Sequence, residues 1–235
     1  MEYQEVINAL HKLANPEKVA FKKRKFGVAA YNSLGIYQKD LKELAKKIGT
    51  NNVLASRLFD SGIYEARILA SKIFNPKELT NDLMEKWVVT FENWEICDSF
   101  CMGLFAKSTF AIPKILEWSE RENEFEKRAA FAIMAAYCMA DKKAANLVFE
   151  NFLPIIYREA NDDRLYVRKA VNWALRSIGK RNIDLHKKAL KNASQLLKMN
   201  TKCAKWIGTD AIKQLTRTKV NILDYPRAIY RIEKK

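Results

Sequence analysis

Apolar residues at helical spacing recur along almost the whole chain, and this pattern constrains the fold more than any other feature. Val167, Ala170, Val171 and Ala174 follow the i, i+3, i+4, i+7 spacing of an amphipathic α-helix, and residues 125–136 repeat the pattern. A sheet-rich protein of this length needs frequent turn residues, but the 235 residues include only 7 Gly and 5 Pro. The sequence therefore predicts an all-α fold.

The helical segments also resemble one another, as structural repeats do. Three pieces begin with polar residues and run into an Ala-rich core: EARILA (65–70), KRAAFA (127–132) and RKAVNWA (168–174). Similar slots, separated by 31, 30 and 40 residues, are occupied by Arg67, Asp98, Arg128 and Arg168. This period is typical of two-helix units that stack into a curved α-solenoid with one concave surface. A compact helical bundle with coincidental similarity between helices is the alternative.

No stretch rich in Gly, Ser or Pro interrupts the chain, so we predict a single domain. Within this domain we expect N-terminal helices in residues 1–60 and a repeat core with a cleft in residues 61–217. Residues 218–235 are expected to form a basic C-terminal tail.

Positive charge is concentrated towards the C-terminal end of the sequence, within a formal net charge of +15. Residues 1–163 contain 23 basic and 23 acidic residues, whereas residues 164–235 contain 19 basic and 4 acidic residues. This asymmetry favours a surface that binds a polyanion, although a basic face that only keeps the protein soluble has the same composition. A smaller basic run at residues 22–25 is either a second phosphate contact or a solvated helix face.

Membrane-spanning, disulfide-linked and metal-centred classes have little support. The longest apolar run, residues 129–140, is shorter than the ~20 residues that cross a bilayer and is typical of a buried helix. The four Cys are expected to be reduced thiols, and no His lies near Cys97 and Cys101 to complete a zinc half-site. We expect no metal, no cofactor and no membrane partner, and the N-terminus lacks the form of a secretion signal.

A carboxylate stands in the largely apolar segment Asn93-Trp94-Glu95-Ile96-Cys97-Asp98. Trp94 and Asp98 are i, i+4 neighbours, so they share a face of the predicted helix. Because burying an unpaired ion is costly, Asp98 is expected to be paired, hydrogen-bonded or functional. The alternative is that Asp98 lies near the helix start and only interacts favourably with the helix dipole.

The segment from Val167 to Lys180 combines an apolar stripe with a basic, aromatic face. Away from the stripe, at i, i+4, i+7 and i+11, stand Lys169, Trp173, Arg176 and Lys180. Cations that flank an aromatic plane suit a nucleic-acid backbone and an exposed base. Cation–π packing on a solvated face is the alternative.

Arg128 opens the Ala-rich helical segment and offers a guanidinium fork for a phosphate, or else a partner for Glu124 one turn away. The sequence contains no glycine-rich phosphate loop, no HExxH and no Cys/His nucleophile pair. If the protein is an enzyme, a carboxylate is therefore the best available catalyst.

Taken together, these pieces make the sequence resemble the AlkD-like DNA alkylation-repair glycosylases, a family of helical solenoids built from HEAT-like repeats. The resemblance is carried by the Trp-x-x-x-Asp of Trp94 and Asp98, by KRAAF with Arg128 and by KAVNWALRSIGKRN with Trp173. Weaker agreement extends from about Leu34 to about Leu215, so the resemblance covers most of the chain.

The resemblance implies a role for each matched residue. Trp94 and Trp173 would form walls of a cleft that holds the deoxyribose of a damaged nucleotide, while Arg128 would contact the nearby phosphate backbone. Asp98 would be the catalytic carboxylate. Glu95 departs from the family, because an Asp often follows the cleft Trp. We assign further DNA-backbone contacts to the basic residues of the Trp173 segment, namely Arg168, Lys169, Arg176 and Lys180.

The activity implied is hydrolysis of the N-glycosidic bond of cationic N3- or N7-alkylated purines in double-stranded DNA, as the first step of base-excision repair. Such purines already carry a positive charge, so they leave without a general acid, and an ionised Asp98 would stabilise the oxocarbenium-like sugar. The alternatives are a non-catalytic repeat protein that binds damaged or branched DNA, and a protein-interaction scaffold. We expect a monomer in the cytoplasm, associated with the nucleoid if the protein is bacterial.

Overall fold

The structure is a computed structural model that describes residues 1–217, so the predicted basic tail at residues 218–235 lies outside the described residues. The described residues form α-helices and two short 3₁₀ helices, and they include no strand. This confirms the predicted all-α class. The chain divides into two compact units, residues 1–110 and a second unit that begins at Ala111. The prediction of a single domain stays a prediction.

The first unit is a succession of short helices joined by tight connections. Its helices are α1 (Tyr3–Lys12), α2 (Pro16–Phe26), α3 (Gln38–Ile48), α4 (Asn52–Asp60), α5 (Tyr64–Ile73), α6 (Asn81–Val88) and α7 (Trp94–Gly103). Helix α5 packs against α3, α4 and α7. Aromatic rings fill the core around Phe100, whose ring centroid lies 5.3 Å from that of Trp87 and 5.6 Å from that of Phe59. These contacts fix α7 against the rest of the unit.

The second unit is organised around its two longest helices. Its helices are α8 (Ala111–Trp118), α9 (Glu124–Ala140), α10 (Asn146–Glu150), α11 (Phe152–Glu159), α12 (Leu165–Gly179), α13 (Ile183–Leu196) and α14 (Lys202–Leu215). Helix α9 packs against α8 and α12, and α12 packs against α13 and α14. The apolar run in α9 is buried from Ala129 to Ala136, as predicted for a core helix.

Asparagine side chains set the starts of several helices. Asn15, Asn51, Asn93, Asn123 and Asn182 are the N-cap residues of α2, α4, α7, α9 and α13, and each accepts a hydrogen bond from a backbone N–H of the first turn. These amides satisfy donors that have no partner within the helix. The helix boundaries are therefore encoded locally.

A close approach between two helices requires glycine in the second unit. Gly208 of α14 is buried, and a Cβ added there would lie 2.6 Å from the carbonyl oxygen of Ala193 in α13. No side chain fits this space without a backbone shift. The glycine therefore sets the separation of α13 and α14.

The residues predicted to occupy similar repeat slots do occupy similar positions in their helices. Arg67 and Arg168 are the fourth residues of α5 and α12, and Asp98 and Arg128 are the fifth residues of α7 and α9. Among residues 1–217, no helix has the length and apolar character needed to span a bilayer.

Candidate functional site

Trp94 and Asp98 line one cavity of about 450 Å³ in the first unit. Both side chains are half-buried and come from α7, one turn apart. The cavity also contains groups that the sequence did not single out, and its remaining lining residues are Gln38, Lys42, Lys72, Glu95, Ser99, Met102 and Gly103. A tryptophan ring, two carboxylates and two amines therefore line one partly open cavity.

The first turn of α7 is fixed by Asn93 rather than by Asp98. The Asn93 Oδ1 accepts hydrogen bonds from the backbone N–H of Glu95 at 2.9 Å and of Ile96 at 3.3 Å. Asp98 is the fifth residue of α7, beyond the first turn in which a charge interacts strongly with the helix dipole. This position speaks against a purely helix-stabilising role for Asp98.

The ring of Trp94 is held by a backbone contact from the end of α2. Its Nε1 donates a hydrogen bond to the carbonyl oxygen of Phe26 at 2.8 Å. Trp94 also borders a second cavity of about 290 Å³, together with Phe26, Tyr37 and Gln38. The indole thus separates two neighbouring cavities while its only polar atom is already bonded.

A buried ion pair lies beneath Trp94, and sequence reasoning missed it. Lys22 Nζ lies 2.7 Å from Glu95 Oε2, and both side chains are at most 10% exposed. Glu95 also accepts hydrogen bonds from Tyr64 Oη at 3.1 Å and Gln38 Nε2 at 3.4 Å. Lys22 belongs to the basic run at residues 22–25, for which two surface roles were expected. Lys22 has neither role, whereas the other three residues of the run are exposed.

The network around Glu95 continues into the cap of α7. Tyr64 Oη is 2.9 Å from Asn93 Oδ1, and Asn93 Nδ2 donates to the carbonyl oxygen of Ala29 at 3.2 Å. Burial, reinforced by the negative charge of Glu95, raises the pKa of Tyr64 above its ordinary value, so the phenol stays a donor. The helix that carries Trp94 and Asp98 therefore rests on a polar network that reaches α2 and α5.

Lys72 supplies a half-buried amine to the cavity. Burial, together with the positive charges of Lys42 and Lys107, lowers the pKa of Lys72 to about 8, and the negative charge of Glu95 opposes the shift. Desolvation disfavours the charged form of an amine, and like charges do the same. A substantial fraction of Lys72 is therefore neutral at a slightly alkaline pH.

Arg128, from α9 in the second unit, is buried. Its Nη1 donates a hydrogen bond to the carbonyl oxygen of Tyr166 at 2.6 Å. Glu124, one turn earlier, accepts a hydrogen bond from the backbone N–H of Tyr166 at 3.2 Å. Both side chains thus bind the first turn of α12, so Arg128 helps to join α9 to α12.

The basic face of α12 is partly exposed and partly tied down. Lys169 is exposed, while Trp173, Arg176 and Lys180 are half-buried. Arg176 Nε lies 3.8 Å from an oxygen of Asp210, which also accepts a hydrogen bond from the Asn172 amide at 2.7 Å. Burial and the charges of Arg176 and Arg217 lower the pKa of Lys180. These neighbouring cations repel one another, and binding an anion such as a phosphate would relieve the repulsion.

Arg168 packs against an aromatic ring of the neighbouring helix. Its guanidinium carbon lies 4.8 Å from the centroid of Trp206 in α14, a residue that remains 39% exposed. This geometry is a cation–π contact between α12 and α14, and it involves none of the four residues of the basic, aromatic face. The predicted site residues therefore form two groups, Trp94 with Asp98 in the first unit, and Arg128 with the α12 residues in the second. Their roles in binding and catalysis stay predictions.

Residues 1–217 contain no group of three His, Cys, Asp or Glu side chains arranged to hold a metal ion.

Residues 6–215 match the protein family described as DNA alkylation repair enzyme. Because the match covers most of the chain, the protein belongs to this family. The resemblance to the AlkD-like repair proteins is thereby confirmed.

Two relatives and one solved structure are similar to most of the chain. The uncharacterised proteins Lin0241 of Listeria innocua and Lmo0209 of Listeria monocytogenes are each 22% identical to it, over 206 and 209 residues. Each alignment covers 86% of this chain, and 90% and 91% of the respective relative.

The solved structure is described as representing a new family of proteins related to the HEAT-like repeat DNA glycosylases with affinity for branched DNA structures. It matches with a TM-score of 0.72 and 19% identity, over 91% of this chain and 95% of that chain. At this identity the match shows the fold, and the predicted HEAT-like helical-repeat fold is confirmed.

Proposed function

We propose that the protein is a DNA glycosylase that hydrolyses the N-glycosidic bond of cationic N3- or N7-alkylated purines in duplex DNA. The observation that carries this proposal is the shared cavity of Trp94 and Asp98, in a chain that belongs to the DNA alkylation repair family. The cavity provides an anion and an aromatic face, which are the two groups that a cationic sugar attracts.

The proposed mechanism requires little of the protein beyond electrostatics. An alkylated purine carries a positive charge, so it departs with the electrons of its bond to C1′ and needs no proton from an acid. The positive charge then develops on the sugar, where the Asp98 carboxylate stabilises it and orients the water that attacks C1′. The Trp94 ring, held by Phe26, offers its face to the same cation.

Residues of the second unit are proposed to bind DNA. Lys169, Arg176 and Lys180 would contact phosphates, and Trp173 would contact the damaged nucleotide. The density of positive charge supports this role, since residues 164–217 contain 14 basic residues and only 2 acidic ones. Arg128 would contact a phosphate of the DNA backbone, in addition to its hydrogen bond to the carbonyl oxygen of Tyr166.

The test is release of free base from methylated duplex DNA by the wild type and by Asp98→Asn. We expect Asp98→Asn to bind DNA normally and to lose about 10²–10³ in the rate of 3-methyladenine or 7-methylguanine release. Asp60→Asn is the matched control, because Asp60 lies in the same unit and its side chain is 53% exposed on the surface. Full release by Asp98→Asn would remove this residue from the mechanism.

A second candidate function is binding of branched DNA without catalysis. It is favoured by the description of the structural neighbour, which has affinity for branched DNA structures. In this case the wild type would release no base from methylated DNA, and it would bind a four-way junction more tightly than a linear duplex of equal length. Both measurements use the same purified protein.

A further inference from the structure

We propose that Lys72 is an amine nucleophile that forms an imine with the sugar aldehyde of an abasic site, and that the protein cleaves the DNA strand there by β-elimination. This activity would follow base release and is distinct from it. The proposal rests on the proposed function in one respect, because it assumes that the cavity of Trp94 and Asp98 receives the sugar.

The cavity holds the Lys72 amine together with the carboxylate that is proposed to act at the sugar. Lys72 and Asp98 line the same space of about 450 Å³. A carboxylate that stabilises charge at C1′ must approach that atom closely, and a lysine side chain is long and flexible enough to reach an atom elsewhere in so small a space. Lys72 lies on α5, which packs directly against α7, the helix that carries Asp98.

The surroundings of Lys72 favour the reactive form of the amine. Only a neutral amine attacks a carbonyl carbon, and burial beside Lys42 and Lys107 lowers the pKa of Lys72 to about 8. The charged groups near Lys72 are these two lysines and Glu95, and Asp98 lines the same cavity. Lys42 and Lys107 are exposed, whereas Lys72 is half-buried. Among these three lysines, Lys72 is therefore the one whose burial favours the neutral, nucleophilic amine.

The chemical step balances without any additional reactant. In an abasic site the sugar ring opens to an aldehyde at C1′. The Lys72 nitrogen bonds to C1′, the carbonyl oxygen takes protons and leaves as water, and a positively charged iminium forms. The iminium acidifies C2′, whose proton passes to the Asp98 carboxylate. The electrons of that C–H bond form a C2′–C3′ double bond and expel the 3′ phosphate.

Water then hydrolyses the imine and regenerates the Lys72 amine. The products are a 5′ fragment that ends in an unsaturated aldehyde and a 3′ fragment that begins with a phosphate. No oxidant, reductant or metal is consumed in this sequence.

The experiment uses duplex DNA that already contains an abasic site, prepared by removing a single uracil. The full-length protein is incubated with this DNA and sodium borohydride, which reduces an imine to a stable covalent adduct. We expect an adduct with the wild type, and we expect peptide mass analysis to locate the modification on Lys72. Absence of an adduct from wild-type protein that binds the same DNA would overturn the proposal.

Two variants separate the nucleophile from a simple phosphate contact. Lys72→Arg keeps the positive charge but cannot form the imine, so it is expected to bind abasic DNA and yield no adduct. Lys46→Arg changes an exposed lysine of α3 that lines neither cavity, and this matched control is expected to yield the adduct at the wild-type level. An undiminished adduct with Lys72→Arg would mean that another amine reacts, and the proposal would be wrong.

The test is independent of base release, so the two proposals can fail separately. Release of 7-methylguanine without an adduct on abasic DNA would leave the glycosylase intact and remove the lyase. An adduct on Lys72 without release of alkylated bases would support the imine chemistry and overturn the glycosylase proposal.

Discussion

Lys22 Nζ lies 2.7 Å from Glu95 Oε2, and this buried ion pair joins α2 to the helix that carries Trp94 and Asp98. The pair lies beside the second cavity, and Glu95 lines both cavities. Because Glu95 immediately follows Trp94 in the first turn of α7, the pair acts on the orientation of that turn. The Glu95 carboxylate therefore helps to hold the turn of α7 that carries Trp94.

We expect Lys22→Met to destabilise the protein by about 3–5 kcal/mol, since it leaves the buried Glu95 carboxylate without its cation. The double variant Lys22→Met/Glu95→Gln removes both charges and should recover much of this loss. Urea denaturation followed by circular dichroism measures both effects.

Lys86→Met is the matched control for this pair. Lys86 Nζ lies 2.8 Å from Asp60 Oδ1, but both side chains are more than half exposed. An exposed pair contributes about 0.2–1 kcal/mol at most. Equal losses for Lys22→Met and Lys86→Met would contradict a structural role for the buried pair.

Gly208→Ala is expected to destabilise the second unit, although alanine favours a helix by about 1 kcal/mol over glycine. The new Cβ would lie 2.6 Å from the carbonyl oxygen of Ala193, so α13 and α14 must move apart. Gly103→Ala offers a graded comparison, because its Cβ would lie 3.2 Å from the Ser71 carbonyl oxygen. Thermal unfolding should rank Gly208→Ala as the more damaging change, and a stabilised Gly208→Ala would refute the close approach.

The affinity for duplex DNA is expected to fall steeply as salt rises, because phosphate contacts release condensed counterions. Each contact contributes about 0.9 to the slope of log K against log salt concentration. Lys169→Ser and Lys180→Ser should each reduce the slope by about that amount, whereas the exposed Lys198 lies outside the predicted contacts and Lys198→Ser should not. A flat profile for the wild type would discard α12 as a phosphate-binding surface.

The rate of adduct formation on abasic DNA should depend on pH through Lys72. Its pKa is lowered to about 8, and only the neutral amine reacts, so the initial rate should rise as pH increases through 8 and level off above it. Single-turnover borohydride trapping between pH 6.5 and 9.5 gives the profile. An ordinary lysine would still show a rising rate at pH 9.5, and such a curve would contradict a lowered pKa for the reacting amine.

The helical class, the buried Ala-rich run and the repeat pattern could be predicted because their signals are local. Apolar spacing identifies α12 from residues within one helix, and the Asn caps lie next to the helices they start. The repeat slots of Arg67 and Asp98 are also visible, since each repeat encodes the same two-helix unit.

The polar network beneath the cavity could not be predicted, because its partners are far apart in sequence. Lys22 stands in a run of four basic residues, and nothing in that run distinguishes the buried lysine from its exposed neighbours. Its partner, Glu95, lies 73 residues further along the chain. The bond from Arg128 to the Tyr166 carbonyl likewise joins residues 38 positions apart and depends on how α9 meets α12.

The bond from Trp94 to the Phe26 carbonyl means that the indole is oriented before any ligand arrives. Little side-chain entropy is then lost on binding, which lowers the cost of recognition. The acceptor belongs to the last residue of α2, so substitutions near that helix end would tilt the ring without touching the cavity that Asp98 lines. Substrate preference in such a protein can therefore diverge through changes at residues that never meet the substrate.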